Sequence, residues 1–78
     1  MERLIGMDQL RDGGIGTVQA VELEGNIRRR MQDLGLICGT KVQCVHRSPH
    51  GDPVAYLIRG AVIALRCSDA KHILIRLE

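Results

Sequence analysis

Residues 41–65, KVQCVHRSPHGDPVAYLIRGAVIAL, contain three consecutive predicted β-strands and decide the class of the fold. Side-chain polarity alternates over residues 41–47, which predicts a half-buried strand. The apolar runs over 54–58 and 61–65 predict strands that are buried on both faces. Arg59-Gly60, between these two runs, has the length of a two-residue hairpin turn. The sequence therefore predicts a mainly β protein built around a hairpin.

Upstream of these strands, residues 26–34 predict one short α-helix. Ile27, Met31 and Leu34 follow one another at spacings of four and three, which places them on one apolar face of a helix. Gly35 then stands at the position where a helix commonly ends in the left-handed conformation. We expect this helix to pack its apolar face on the strands.

The rest of the chain supplies shorter elements. Residues 15–23 predict a strand, residues 67–71 a helical turn and residues 73–77 a final alternating strand. About five strands with one helix are too few for a two-sheet sandwich. The sequence therefore predicts a small, partly open barrel, formed by a single domain over residues 1–78.

Composition restricts the classes of function. The 78 residues include one tyrosine and neither phenylalanine nor tryptophan, so the aromatic side chains on which single-stranded nucleic-acid binders stack bases are missing. The net charge of +2 is also small, and we expect no nucleic-acid partner. The sequence has neither an 18-residue apolar run nor a signal peptide, and its three cysteines cannot all pair in disulfides. We therefore expect a cytoplasmic protein with free thiols and no direct membrane span.

Charge along the chain indicates a surface for a partner. Residues 1–27 hold two arginines and five acidic residues, whereas residues 28–78 hold nine basic and four acidic residues. Arg28, Arg29 and Arg30 concentrate the positive charge on the predicted helix. They are candidates for binding an acidic partner or anionic lipid headgroups, and the alternative is a solvated cationic face.

A barrel edge is a second candidate for binding a partner. The backbone groups of an unpaired strand can take up an extended segment or another copy of the chain. Residues 54–58, which contain Tyr56 and few charges, are the stretch that we expect to contact a partner or to mediate self-association.

Cys44, His46 and His50 are the candidate metal ligands. Cys44 and His46 stand two apart on one predicted strand face, and His50 could reach back from the following loop. Closely spaced C-x-x-C pairs, typical of zinc sites, do not occur, so the alternative of a buried cysteine beside two solvated histidines is favoured. A bound ion would be zinc or a similar transition metal. We expect no resident cofactor and no enzymatic activity, because no nucleophile stands in a recognisable catalytic arrangement.

Five short motifs, taken together and in order, resemble the FeoA family. They are Gly16-Thr17-Val18, Arg30-Met31-Gln32-Asp33-Leu34-Gly35-Leu36, Gly39-Thr40-Lys41-Val42, Gly51-Asp52-Pro53-Val54, and Ala64-Leu65-Arg66 followed by Asp69-Ala70 and Ile73. The resemblance implies an SH3-like barrel, which is also appended to metal-dependent repressors of the diphtheria-toxin-regulator type.

The resemblance also implies a role in bacterial ferrous iron transport. A FeoA-like protein is expected to be a non-catalytic adaptor that binds the cytoplasmic part of the FeoB transporter, a membrane protein with a GTPase domain, and so lies at the inner membrane through its partner. The alternative is a metal-responsive module related to the repressor appendage. Cys38 departs from the family pattern, which usually has proline at this turn, and Cys44, His46 and Cys67 are soft ligands outside that pattern.

Overall fold

Six antiparallel strands form one sheet in the computed structural model, which describes residues 3–78. The strands are β1 (Leu4–Gly6), β2 (Ile15–Val21), β3 (Lys41–Arg47), β4 (Val54–Ile58), β5 (Ala61–Leu65) and β6 (Ile73–Leu77). The helices are α1 (Gly25–Asp33) and α2 (Cys67–Ala70), and a 3₁₀ turn spans Met7–Gln9. The strand order is β1-β6-β2-β3-β4-β5, so β1 and β5 are the edges of a sheet that does not close.

The count of strands corrects the sequence prediction. β1, which the sequence did not predict, pairs with β6 over three residues, a length too short to show a side-chain period. The first predicted strand, over 15–23, ends at Val21, and the helix predicted over 26–34 covers Gly25–Asp33. The mainly β class, the single longer helix and the helical turn are confirmed.

The end of α1 follows the prediction. Gly35 has a φ of 100°, a backbone conformation that favours glycine. The Gly35 amide donates to the Gln32 carbonyl at 2.9 Å, and the Leu36 amide donates to the Met31 carbonyl at 3.0 Å. These are the two hydrogen bonds of a Schellman motif, and they turn the buried Leu36 back onto the helix.

The β4–β5 hairpin is also confirmed. Arg59 and Gly60 have φ values of 49° and 83°, as a two-residue type I′ turn requires. The prediction that both strands are buried on both faces is wrong. Leu57 and Val62, which face each other across the hairpin, are 36% and 63% exposed. Their side chains lie on the outer face of the sheet, and no other part of residues 3–78 buries them there.

The core lies against the inner face of the sheet and is aliphatic except for one ring. Its buried apolar members are Met7, Leu10, Val18, Val21, Met31, Leu36, Val42, Cys44, Val54, Tyr56, Ile58, Leu65, Ala70, Ile73 and Ile75. The helix α1 contributes Met31, while Ile27 and Leu34 are partly buried against the same cluster. The apolar spacing in the sequence thus identified the face of α1 that packs on the sheet.

A β-bulge interrupts β3 and reverses its side-chain pattern. Cys44 pairs with Tyr56, but His46 pairs with Ala55 and Arg47 with Val54, so the register shifts at Val45. The shift leaves His46 exposed on the outer face, while Cys44 is buried. The prediction that Cys44 and His46 share one face is therefore wrong, because an extra residue in a strand moves every later side chain to the opposite face.

Candidate partner-binding surface

An open groove of about 870 Å³ lies between the end of β2 and α1, and we call it the β2–α1 groove. One wall is the end of β2 with the segment that follows it, and the other is α1 with the turn after it. The lining residues are Gln19, Ala20, Val21, Glu22, Leu23, Glu24, Arg28, Gln32, Leu36, Ile37 and Cys38. The groove therefore joins parts of the chain that are distant in sequence.

Arg28 holds the two walls of the groove together. Its Nη1 donates to the Val21 carbonyl at 2.7 Å and, at 3.4 Å, to the Leu23 carbonyl. The Glu22 amide donates to the His72 carbonyl at 2.8 Å, which fixes the same segment to the start of β6. Arg28 is thus a positioning residue: its guanidinium makes these bonds while the residue as a whole stays exposed.

The groove combines an apolar floor with charged walls. Leu36 and Val21 are buried, whereas Ile37 is 43% exposed. Glu22 and Glu24 are exposed on the wall that Arg28 anchors, so acidic and basic groups lie side by side here despite their separation in the sequence. Such a groove has the shape and polarity to bind an apolar side chain with a polar flank.

All three arginines of the triplet are exposed, and Arg29 and Arg30 are the two that do not line the groove. Both are exposed in the middle of α1, next to the groove residues Arg28 and Gln32 along the helix. Consecutive helical residues project about 100° apart, so the pair presents charge over a broad face instead of a clamp. Their role in binding a partner remains a prediction.

Tyr56 lies in the core and not on a binding edge. Its side chain is fully buried, and its hydroxyl donates to the Met7 carbonyl at 3.2 Å. Burial, followed by the nearby Cys44 and Cys67 thiols, raises the pKa of Tyr56. Because β4 is paired on both sides, the prediction that Tyr56 contacts a partner, or that residues 54–58 form an edge, is wrong.

The candidate metal ligands are not brought together. The Cys44 Sγ lies 3.9 Å from the Asp12 Oδ1, and burial, followed by the charge of Asp12, raises the pKa of the Cys44 thiol. His46 and His50 are exposed. Within residues 3–78, no three His, Cys, Asp or Glu side chains converge as a metal ion would need.

Cys67 is the third thiol, and its surroundings also favour the protonated form. Its Sγ lies 3.3 Å from the Gly51 carbonyl, and its amide donates to the Asp52 Oδ1 at 3.0 Å. Burial and then the Asp52 carboxylate raise the pKa of the Cys67 thiol. A thiol with a raised pKa is a poor nucleophile at neutral pH, so neither Cys44 nor Cys67 resembles an activated cysteine.

We predict that the folded protein loses stability above about pH 9. A thiol or phenol whose pKa is raised by folding binds its proton more tightly in the native state than in the unfolded state. Its contribution to the free energy of unfolding is therefore complete below the unfolded pKa, which is 9.0 for Cys44. That contribution falls as the pH rises above this value. Urea unfolding measured between neutral pH and about pH 10 should show this decline. C44A should flatten it, whereas C38A should not, since Cys38 is exposed. Equal slopes in both variants would contradict the prediction.

The sequence did not predict the β2–α1 groove. Its walls come from residues 19–24 and from residues between 28 and 38, and each wall has an ordinary local composition. The local indication was Ile37, an apolar residue three positions after the predicted helix end, which the structure leaves exposed.

Among residues 3–78, no helix is both long and apolar enough to cross a membrane.

Comparison with known proteins identifies the architecture. The model of the FeoA domain family matches residues 5–77. A FeoA-like protein from Clostridium acetobutylicum is 32% identical, with a TM-score of 0.89, and the match covers 99% of this chain and 90% of that one. FeoA of Stenotrophomonas maltophilia, solved with zinc and described as a prokaryotic SH3 domain protein, is 29% identical with a TM-score of 0.80, covering 91% and 88%. No curated protein sequence matches significantly.

A manganese-dependent transcriptional repressor shares the fold. It is 18% identical with a TM-score of 0.87, and the match covers 100% of this chain and 44% of that one. At this identity the likeness concerns architecture alone. The SH3-like fold and the resemblances stated from the sequence are confirmed.

Proposed function

Because this chain belongs to the FeoA domain family, we propose that it is a non-catalytic accessory protein of ferrous iron transport. It binds the cytoplasmic part of a FeoB-type transporter and modulates iron uptake. The observation that carries the proposal is the family match, which spans residues 5–77. Its place in the cell is then the cytoplasmic side of the membrane that holds the transporter.

The surface around α1 supports a role in binding. The β2–α1 groove offers an apolar floor at Leu36 and an exposed Ile37, on which a side chain of the transporter can rest. Arg29 and Arg30 lie beside it and attract an acidic patch. Since Arg28 ties the two walls together, the groove is formed before the partner arrives, which lowers the ordering cost of association.

The buried Cys44 thiol and the partly buried Cys67 thiol support the non-catalytic part of the proposal. Cys44 and Cys67 are protonated at neutral pH, and in an accessory protein these side chains need only to pack. The metal-responsive alternative requires converging ligands. His46 lies on the opposite face of the sheet from Cys44, and within the described part of the chain no third ligand completes such a set.

The proposal is tested by measuring binding to the isolated cytoplasmic part of the FeoB-type transporter from the same organism. We expect the wild-type protein to bind, and R29Q/R30Q to bind about fivefold more weakly, since each exposed ion pair contributes on the order of 0.5 kcal/mol. R11Q/K71Q is the matched control, because it removes the same charge from two other exposed positions and should bind like wild type.

Two results would overturn this proposal. One is failure of the wild-type protein to bind the transporter fragment both with and without guanine nucleotide. The other is a pull-down from native membranes that recovers only soluble proteins. Equal weakening in both double variants would remove the assignment to α1 while leaving the partner in place.

A further inference from the structure

The outer edge of β5, Ala61–Leu65, is a strand edge without the usual protection. In the described part of the chain β5 pairs with β4 alone. Natural edge strands are commonly blunted by a lysine, a proline, a bulge or an inward charge. β5 carries none of these within its five residues, which are all apolar, and its register with β4 is regular. An edge of this kind is suited to pairing with another strand.

The register identifies the backbone groups that the edge offers. Ile58 and Ala61 flank a two-residue turn and therefore form a hydrogen-bonded pair, and pairs of this kind alternate along an antiparallel ladder. Val62 and Ala64 consequently direct their amide and carbonyl groups away from β4. Val62 is 63% exposed, so an incoming strand can reach these groups and contact its side chain.

The charge at the two ends of β5 determines which kind of strand can pair with this edge. Arg59 lies in the turn that precedes the strand, and Arg66 follows its last residue, with no acidic residue between 59 and 66. The side-chain stem of Arg59 packs over Gly35, which holds it at this end. The Arg66 side chain is 76% exposed and reaches Asp69 only at 3.9 Å, a pairing that contributes little. The edge is therefore apolar along its length and positive at both ends.

A second copy of this chain fits the edge poorly. In an antiparallel pairing that overlaps the two strands, Val62 of one copy faces Ala64 of the other, and Arg66 faces Gly60. Each Arg66 then lies one residue along from Arg59 of the other copy, so two pairs of positive charges come close together and repel each other. From these observations we infer that the β5 edge binds an extended acidic segment of a partner protein by strand addition.

The inference is tested with a short synthetic peptide in which valine and threonine alternate, with a glutamate at each end. Nuclear magnetic resonance of the isotope-labelled protein should show shifts at the Val62 and Ala64 amides and slower exchange of their protons. An otherwise identical peptide with a lysine at each end should bind at least about fivefold more weakly than the glutamate peptide, and added salt should reduce this difference in affinity.

Matched variants distinguish an effect of the arginine charges on peptide binding from an effect on folding. R59N/R66Q should lose the preference for the glutamate peptide, and asparagine at 59 tolerates the positive φ found there. R11Q/K71Q removes the same charge elsewhere and should keep the preference. Absence of shifts at Val62 and Ala64, equal binding of the two peptides, or concentration-dependent dimerisation through β5 would each overturn the inference. The β5 edge shares no residue with the β2–α1 groove, so this result is independent of transporter binding through α1.

Discussion

Replacing Tyr56 with alanine is expected to destabilise the protein by about 3–5 kcal/mol. Tyr56 is the largest fully buried side chain and the only aromatic residue of the chain. Its removal leaves a cavity among aliphatic neighbours and deprives the Met7 carbonyl of its donor. Since a domain of this length holds about 4–12 kcal/mol in all, Y56A should be largely unfolded at moderate temperature.

Urea unfolding followed by circular dichroism measures this loss, and two further variants separate its causes. Y56F keeps the ring and loses only the hydrogen bond, so it should cost about 1 kcal/mol. L57A truncates the neighbouring residue, which lies on the outer face at 36% exposure, and should cost clearly less than Y56A. Similar midpoints for Y56A and L57A would contradict the burial of Tyr56 and reopen it as a contact residue.

Replacing Arg47 with methionine is expected to cost about 2–4 kcal/mol, the second largest effect. The Arg47 Nη2 donates to the Leu10 carbonyl at 2.8 Å and also to the Asp8 carbonyl, which ties β3 to the 3₁₀ turn across the core. Methionine fills a similar volume and donates nothing. Two partly buried carbonyl groups would therefore lose a charged donor.

His46 provides the control for Arg47. It is the preceding residue, it is exposed on the opposite face after the bulge, and H46M should change the stability within about 0.5 kcal/mol. Hydrogen exchange should also report the loss locally, because R47M releases the 3₁₀ turn over Met7–Gln9 before the rest of the sheet. If R47M and H46M were equally stable, the assigned bulge register would be wrong.

The two surfaces described for this chain differ in how the fold prepares them. The β2–α1 groove is held by Arg28, whose hydrogen bonds to the Val21 and Leu23 carbonyls fix its walls. The β5 edge is fixed by the β4–β5 hairpin, whose turn needs the positive φ values of Arg59 and Gly60. Each surface can be altered without touching the other, so their contributions to partner binding can be measured separately.

The local sequence determined those elements that are stabilised by interactions between residues close together in the chain. The apolar spacing of Ile27, Met31 and Leu34 identified α1 and its packed face, and Gly35 identified its end. Arg59-Gly60 between two apolar runs identified the hairpin. The ordered set of short motifs gave the SH3-like architecture, because a fold is constrained by many positions at once and not by any single one.

Only the tertiary structure decided which side chains meet. The bulge at Val45 separates His46 from Cys44 and turns Arg47 inward, and no local pattern announces one extra residue in a strand. Tyr56 lies on the inner face of β4 and is buried, while Val62 lies on the outer face of the edge strand β5 and is exposed, although both strands are apolar runs. An apolar run indicates that burial of these side chains is favourable, but strand order and the absence of a covering layer among residues 3–78 determine which face of the strand is buried.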